Sequence, residues 1–446
     1  MTIFNLTFRL LNDKKGQFAV NIIFLGLLMV SAGYLMITGY NGVVANIFSI
    51  NPFSTFLFVL FTAGLMLVSM IAFSYSENYM DFAIIANFAL LGMCLVSAST
   101  SVITIFLGLE LASIPMVFAI LLSKRGIEAA AKLFIMASIA TAVLSFAIVM
   151  LYGATDSFAL SSYSGGTVIA FAGLLFAAAL GFEASIFPFN VLIPDVYAGS
   201  SAYLTGMLGG LNKKVGLVAL IQVFILIFIA DKQLFIFVAI LAVLTMTYGN
   251  VAALVQRNTK RMLAYSSISQ AGYIMIGIAA STQQGIAASL FQIFAHAFIF
   301  IGMMGVIAML EKNNRNDVDD LIGLNSENRY AALALTLFML SLIGLPLTTG
   351  FMGKLLLFLS AINANLFWLA VIGIINTVIS IFYYLRAIMA MYTEKDAARP
   401  IRMEKTLAVA VFICIAITIV FGVYPQPIVN LVNSASGFLF AQLPPP

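Results

Sequence analysis

The sequence predicts an all-α integral membrane protein of about thirteen transmembrane helices, with two inverted five-helix repeats that each contain a broken helix. Three observations predict it. The chain is 63% hydrophobic and only 9% charged, against about 25% charged residues in a soluble domain, and its mean hydropathy is +1.10. No soluble core hides that much apolar surface, so the solvent is lipid. Apolar runs of spanning length, about 20 residues, recur along the whole chain. The basic residues fall almost entirely on one side of the resulting spans, which is the signature of a membrane topology.

In chain order the spans are 18–40, 52–75, 81–99, 101–123, 129–153, 166–189, 203–229, 234–255, 262–280, 286–310, 330–359, 366–392 and 406–430. Short connectors make them one packed bundle. Residues 1–80 are an N-terminal segment with two helices, 81–229 and 234–392 the two repeats, and 393–446 a C-terminal helix. The opening residues do not read as a signal peptide, because the apolar run before Asn12 is short and no small-residue cleavage site follows.

Thirteen spans place the termini on opposite sides. One side then receives Arg9, Lys14, Lys15, Lys124, Arg125, Arg257, Lys260, Arg261, Lys312, Arg315, Arg329, Arg386, Lys395, Arg399, Arg402 and Lys405, and the other receives Lys232 alone. The positive-inside rule makes the first side cytoplasmic, with the N-terminus inside and the C-terminus outside. The net charge of +4 therefore reads as orientation, not as affinity for nucleic acid. Cys94 and Cys414 are far apart, no CxxC occurs and His296 is the one histidine. Neither an iron–sulfur cluster nor a zinc site is expected, so any redox chemistry would belong to partners, with no cofactor in this chain.

Seven ionisable groups fall inside spans: Glu110, Lys132, Glu183, Lys213, Lys214, His296 and Lys354. A charge at the centre of a membrane helix costs about 2.5–3.5 kcal/mol on insertion scales. Four lysines would cost about 10–14 kcal/mol, comparable to a protein's net stability. A structural ion pair explains one such group; seven in one bundle point to a proton or ion path. Lysine suits that use, because its proton becomes exchangeable near neutral pH when the residue is buried. Lys132 follows Glu128 by four residues on one helix face, so a plain ion pair competes with a relay role. Lys213 and Lys214 point about 100° apart, so only one readily shares a path. His296 could be either a relay or a hydrogen-bonded core histidine.

Two spans carry breakers beside these charges. Glu183 precedes Pro188 in "GFEASIFPFNVLIPDVY", and Lys354 follows Pro346 and three glycines in "SLIGLPLTTGFMGKLLLF". Proline removes a backbone donor and opens a helix, which is tolerated at membrane depth where the backbone is buried in protein or lines a wet cavity. The breaks lie five spans apart, and an odd repeat inverts its copy.

At these residues a family resemblance becomes specific. "FLGLELASIPMVFAI", "GIEAAAKLFIMAS", "FPFNVLIPDVYAGS", "QRNTKRMLAYSSISQAGY" and "GLPLTTGFMGKLLLF" resemble, in order and spacing, the antiporter-like subunits of respiratory complex I. The PDVY, KRMLAYSSI and GFMGK pieces are most similar to the N subunit of NADH:quinone oxidoreductase, with Mrp-type Na⁺/H⁺ antiporter subunits as relatives. The resemblance spans about residues 50–395. It implies a fourteen-helix proton-pumping module without a redox centre, in the membrane arm of a complex in a prokaryotic inner membrane. Its partners would be sister antiporter-like subunits, hydrophilic redox subunits and lipid. Residue by residue it implies relay roles for Glu110, Lys132, Lys213, His296 and Lys354. Two departures stand out. The family's first helix is absent, because residues 1–17 cannot span, and Glu183 stands where the family has lysine. The expected pairing for Glu183 is with Lys132, Lys213 or Lys214. A multisubunit Na⁺/H⁺ antiporter or hydrogenase subunit, a free-standing solute transporter and a passive scaffold are the competing readings.

Overall fold

The computed structural model describes residues 13–443 apart from 45–46, 124–125, 162, 164–165 and 395–399. Arg9, Lys124, Arg125, Lys395 and Arg399 of the expected basic side lie outside the described residues, as do residues 1–12 of the segment expected not to span. Helix α1 is Lys14–Thr38; a two-stranded hairpin follows, β1 Gly42–Val44 and β2 Phe48–Ile50. Then come α2 Pro52–Tyr75, α3 Tyr79–Ser97, α4 Val102–Leu121, α5 Gly126–Thr155, α6 Thr167–Ala184 and α7 Ile193–Gly199. The next span is Ala202–Leu226, made of α8 Ala202–Met207, a π-turn at Leu208–Asn212 and α9 Lys213–Leu226. The chain continues with α10 Lys232–Leu254, α11 Thr259–Ala279, α12 Gln283–Lys312, α13 Leu324–Glu327, α14 Arg329–Ile343, α15 Thr349–Asn363, α16 Phe367–Tyr392, α17 Lys405–Val423 and α18 Gln426–Ala441.

Among the described residues, twelve helices are long and apolar enough to cross a membrane, and α14 with α15 make two shorter apolar pieces. Those two pieces are the broken form of the span expected at 330–359. The span expected at 166–189 is also broken: α6 ends at Ala184, and α7 resumes at Ile193 beyond Pro188. Capping sets several starts. Asn51 and Ser54 form a reciprocal cap ahead of α2, with Pro52 at its first position, and Ser101 with Thr104 do the same for α4. Asn258, Thr282 and Thr348 cap α11, α12 and α15 through their side-chain oxygens.

The last expected span, 406–430, is corrected. The helix stops at Val423, and after Tyr424 and Pro425 a separate helix α18 begins. Proline cannot continue the hydrogen-bond ladder, and α18 is amphipathic where α17 is apolar throughout. It buries Ile428, Val432, Ala435 and Leu439, spaced as one helix face, against α2 and α12.

The core is set by burial. Nearly every residue of the span Ala202–Leu226 and of α11 and α12 is shielded inside the bundle, whereas α1, α5, α16 and α17 present broad apolar faces outward. The enclosed helices are the ones that carry Lys213, Lys214 and His296. Several basic residues of the expected basic side are tied down at helix ends. Lys14 donates to the Ser76 carbonyl at 2.8 Å, Lys260 reaches Glu311 at 2.6 Å, Lys312 reaches Glu404 at 2.9 Å, and Arg386 donates to the carbonyls of Leu254 and Gln256. A two-pronged ion pair with Glu327 raises the Arg315 guanidinium above its already high ordinary pKa. Lys232, expected on the other side, starts α10.

Candidate functional site: a chain of buried ionisable groups

Glu110 lies midway along α4 and accepts a hydrogen bond from the Thr141 hydroxyl of α5. Ser113, three residues on and on the same helix face, donates to the Glu183 carboxylate at 3.0 Å. One helix face thus presents two carboxylate contacts. Glu183 is the penultimate residue of α6, held where the helix breaks and Ser185 turns into the left-handed region. Gly216 of α9 lets the two helices touch there: a Cβ on it would come within 2.6 Å of the Ala184 amide nitrogen.

Glu183 and Lys213 line one small cavity with Ser113, Leu133, Met136, Ala137, Phe182 and Asn212. Its volume of about 10 Å³ is about what one water molecule needs. The two side chains are not in direct contact; both line a polar niche cut into an apolar wall. Lys213 is placed by the π-turn that immediately precedes it. An extra residue in the helical turn shifts which side chains face the interior, and such turns recur at functional positions.

Lys213, Lys214 and His296 are 5%, 1% and 0% exposed. Lys214 does not line the Lys213 cavity; the turn that leads into both lysines packs on the helix of His296, where Gly209 and Gly210 lie against Phe300 and Ile301. The imidazole stacks on Phe300 with ring centroids 5.3 Å apart, and neither ring nitrogen has a protein partner. A core histidine that served only packing would hydrogen-bond at least one of them.

Lys354 sits at the second break. Its ammonium donates to the carbonyls of Leu342 at 2.7 Å and Ile343 at 3.3 Å, the last turn of α14. It also lies 4.5 Å from the centroid of the Tyr273 ring. The freed carbonyls carry the negative end of the α14 dipole, and the aromatic face adds cation–π attraction. Gly344 ends α14 with φ 104°, a conformation glycine adopts without a steric penalty.

Lys132 is placed differently from the others. It contacts Glu128 at 2.6 Å and Asp195 at 2.7 Å, and the other Asp195 oxygen binds Arg261 at 2.6 Å. This network leaves Lys132 27% exposed, and Lys132 does not line the cavity of Glu183. Of the three lysines considered as partners for Glu183, Lys213 is the one brought to it. The structure therefore brings Glu183 and Lys213 to one cavity, with Glu110 one turn from Ser113 on α4, and sets His296 on the helix that packs against the turn preceding Lys213 and Lys214. Lys354 stands at the far break, and Lys132 lies outside this line. Sequence reasoning missed Thr141, Ser113 and Asp195; the three-residue spacing of Glu110 and Ser113 was the one available signal.

The family described as NADH:quinone oxidoreductase/Mrp antiporter, transmembrane, matches residues 99–380. F(420)H(2) dehydrogenase subunit N of Methanosarcina mazei is 34% identical over 91% of this chain and 88% of its own length. NADH-quinone oxidoreductase subunit N of Desulforamulus reducens is 32% identical over 94% of this chain and 91% of its own. A chain of respiratory complex I from Thermus thermophilus is 26% identical with a TM-score of 0.84, covering 96% of this chain and 99% of that one. A chain of the Mrp complex from Dietzia superposes with a TM-score of 0.91 over 98% and 97% at 19% identity, a likeness of fold. The protein therefore belongs to the NADH:quinone oxidoreductase/Mrp antiporter membrane family, among the homologues of NADH-quinone oxidoreductase subunit N.

Proposed function

We infer that this chain is the N-type, proton-translocating membrane-arm subunit of a complex I-type quinone oxidoreductase, itself without a redox site. The observation that carries the reading is the placement of Glu183 and Lys213 on either side of one small polar cavity. Lys214 and His296 continue from it on the most enclosed helices. Glu110 and Glu183 act as proton acceptors on one side. A proton arriving at Glu183 removes the counter-charge of Lys213, whose ammonium then passes its proton toward Lys214 and His296. Lys354 receives it at the second break, where the α14 carbonyls stabilise the ammonium, and releases it to the far side. Each step moves one proton and leaves the total charge of donor and acceptor unchanged.

In this reading residues 81–229 and 234–392 are the inverted repeats, with the breaks at Pro188 and Pro346 in matching helices. The expected basic side faces the cytoplasm of a prokaryotic cell, and the partners are sister antiporter-like subunits and hydrophilic redox subunits. The names of the relatives support the enzyme-complex setting, and they differ in electron donor. An inventory of the proteins that copurify with the tagged chain should contain such subunits; purification as a lone polypeptide would exclude this reading in favour of a free-standing carrier. At the relay, Lys354→Ala should impair proton release. Lys354→Arg should fail to restore it, because a guanidinium does not give up its proton. Full pumping by the arginine variant would remove Lys354 from the protonation cycle.

A further inference from the structure

Between His296 and Lys354 lies a pair of buried amides. Gln292 is four residues before His296 on α12 and on the same helix face. Its Nε2 donates to Oε1 of Gln270 on α11 at 2.9 Å. Both side chains are almost completely buried, and each keeps one polar atom without a protein partner, Oε1 of Gln292 and Nε2 of Gln270. Two primary amides offer four donor hydrogens and two acceptor oxygens, so a single mutual bond leaves capacity on both flanks. Exchanging oxygen and nitrogen in both side chains preserves the bond and reverses its direction, so the pair has two equivalent polarities.

The pair is pressed against the helix of Lys354. A Cβ on Gly353 would collide with Oε1 of Gln292, so glycine at this point of α15, directly beside Lys354, leaves the amide in its present place. An unpaired buried amide atom is costly, and a helix contact that needed only packing would place an apolar side chain there. Resting on the relay reading above, we propose that the Gln292–Gln270 pair positions the proton's path between His296 and Lys354. The open amide atoms align bridging water on its two flanks. The amides do not themselves take the proton; they orient the donors and acceptors that hand it on.

Packing and positioning rank substitutions in opposite orders. If the pair only packs, Gln292→Leu is tolerated and Gln292→Glu is harmful, because it buries a charge. If it positions the path, Gln292→Leu lowers the proton-to-electron ratio by the share that this chain contributes, and Gln292→Glu, whose carboxyl group still donates and accepts hydrogen bonds along the path, retains most of it. Gly353→Ala, which displaces the amide, should resemble Gln292→Leu, and Gln270→Leu should repeat the loss should Gln292→Leu fail to assemble. The measurement is proton uptake or release per electron in the intact complex in proteoliposomes, with redox turnover under uncoupler as the assembly check and Lys213→Met as the reference. Near wild-type pumping in Gln292→Leu or Gln270→Leu, or a Gln292→Glu variant worse than leucine, overturns the proposal. If Lys213→Met is the variant that pumps normally, the relay reading fails first, and the two failures are thereby distinguished.

Discussion

Glu183 carries the clearest residue-scale consequence. It reverses the polarity that the family resemblance implies at this helix, and the structure sets it across a small cavity from Lys213 with Ser113 as its hydrogen-bond donor. Glu183→Gln keeps the shape and the serine contact but leaves the Lys213 ammonium without its counter-charge, and breaking one side of a buried pair is costly. We expect assembly on a native gel and a clear loss of protons pumped per electron. Glu183→Lys would set two ammonium groups at one cavity and should be at least as harmful. A wild-type ratio in Glu183→Gln would show that the carboxylate plays no part. The ionisable residues themselves were legible in the sequence, because a charge within an apolar run is conspicuous. Their grouping was not. Lys213 and Lys214 are adjacent, and the sequence favoured one; the structure buries both and aims them at different neighbours. Lys132 looked like part of the line, but its Asp195 contact comes from a helix more than sixty residues away, which no local spacing reveals.

At the scale of elements, the two breaks were readable from Pro188, Pro346 and the surrounding glycines, since backbone restrictions are local. The π-turn at Leu208–Asn212 was not, because its residues are compatible with an ordinary helix and the distortion arises from packing. Gly209 and Gly210 there lie against Tyr197, Phe300 and Ile301. Helix α18 escaped notice because an apolar run masks a helix end, and its amphipathic pattern starts only after Pro425. The second break makes a specific prediction. Gly344→Ala would strain a residue held at φ 104°, at a cost of about 1–3 kcal/mol, and would move the Leu342 and Ile343 carbonyls away from Lys354. Both the thermal midpoint and pumping should fall in the purified complex. A lowered midpoint with unchanged pumping would separate the carbonyl contact from the relay.

For the whole molecule, the arrangement is one in which the outward helix faces are apolar, while Lys213, Lys214 and His296 ride on the helices hidden inside. Composition predicted the lipid solvent, and the apolar runs predicted the spans, with the charge asymmetry in support, because all three are sums over many residues and tolerate local error. The interior line depends on which helices cross, which is a property of the packed bundle alone. Its central claim is that Lys213 carries protons between the halves of this chain. The most direct test is the proton-to-electron ratio of the intact complex carrying Lys213→Met, reconstituted in proteoliposomes, with redox turnover under uncoupler as the control for assembly. The account predicts retained uncoupled turnover and a large loss of pumping; a wild-type ratio in an assembled Lys213→Met complex would contradict it.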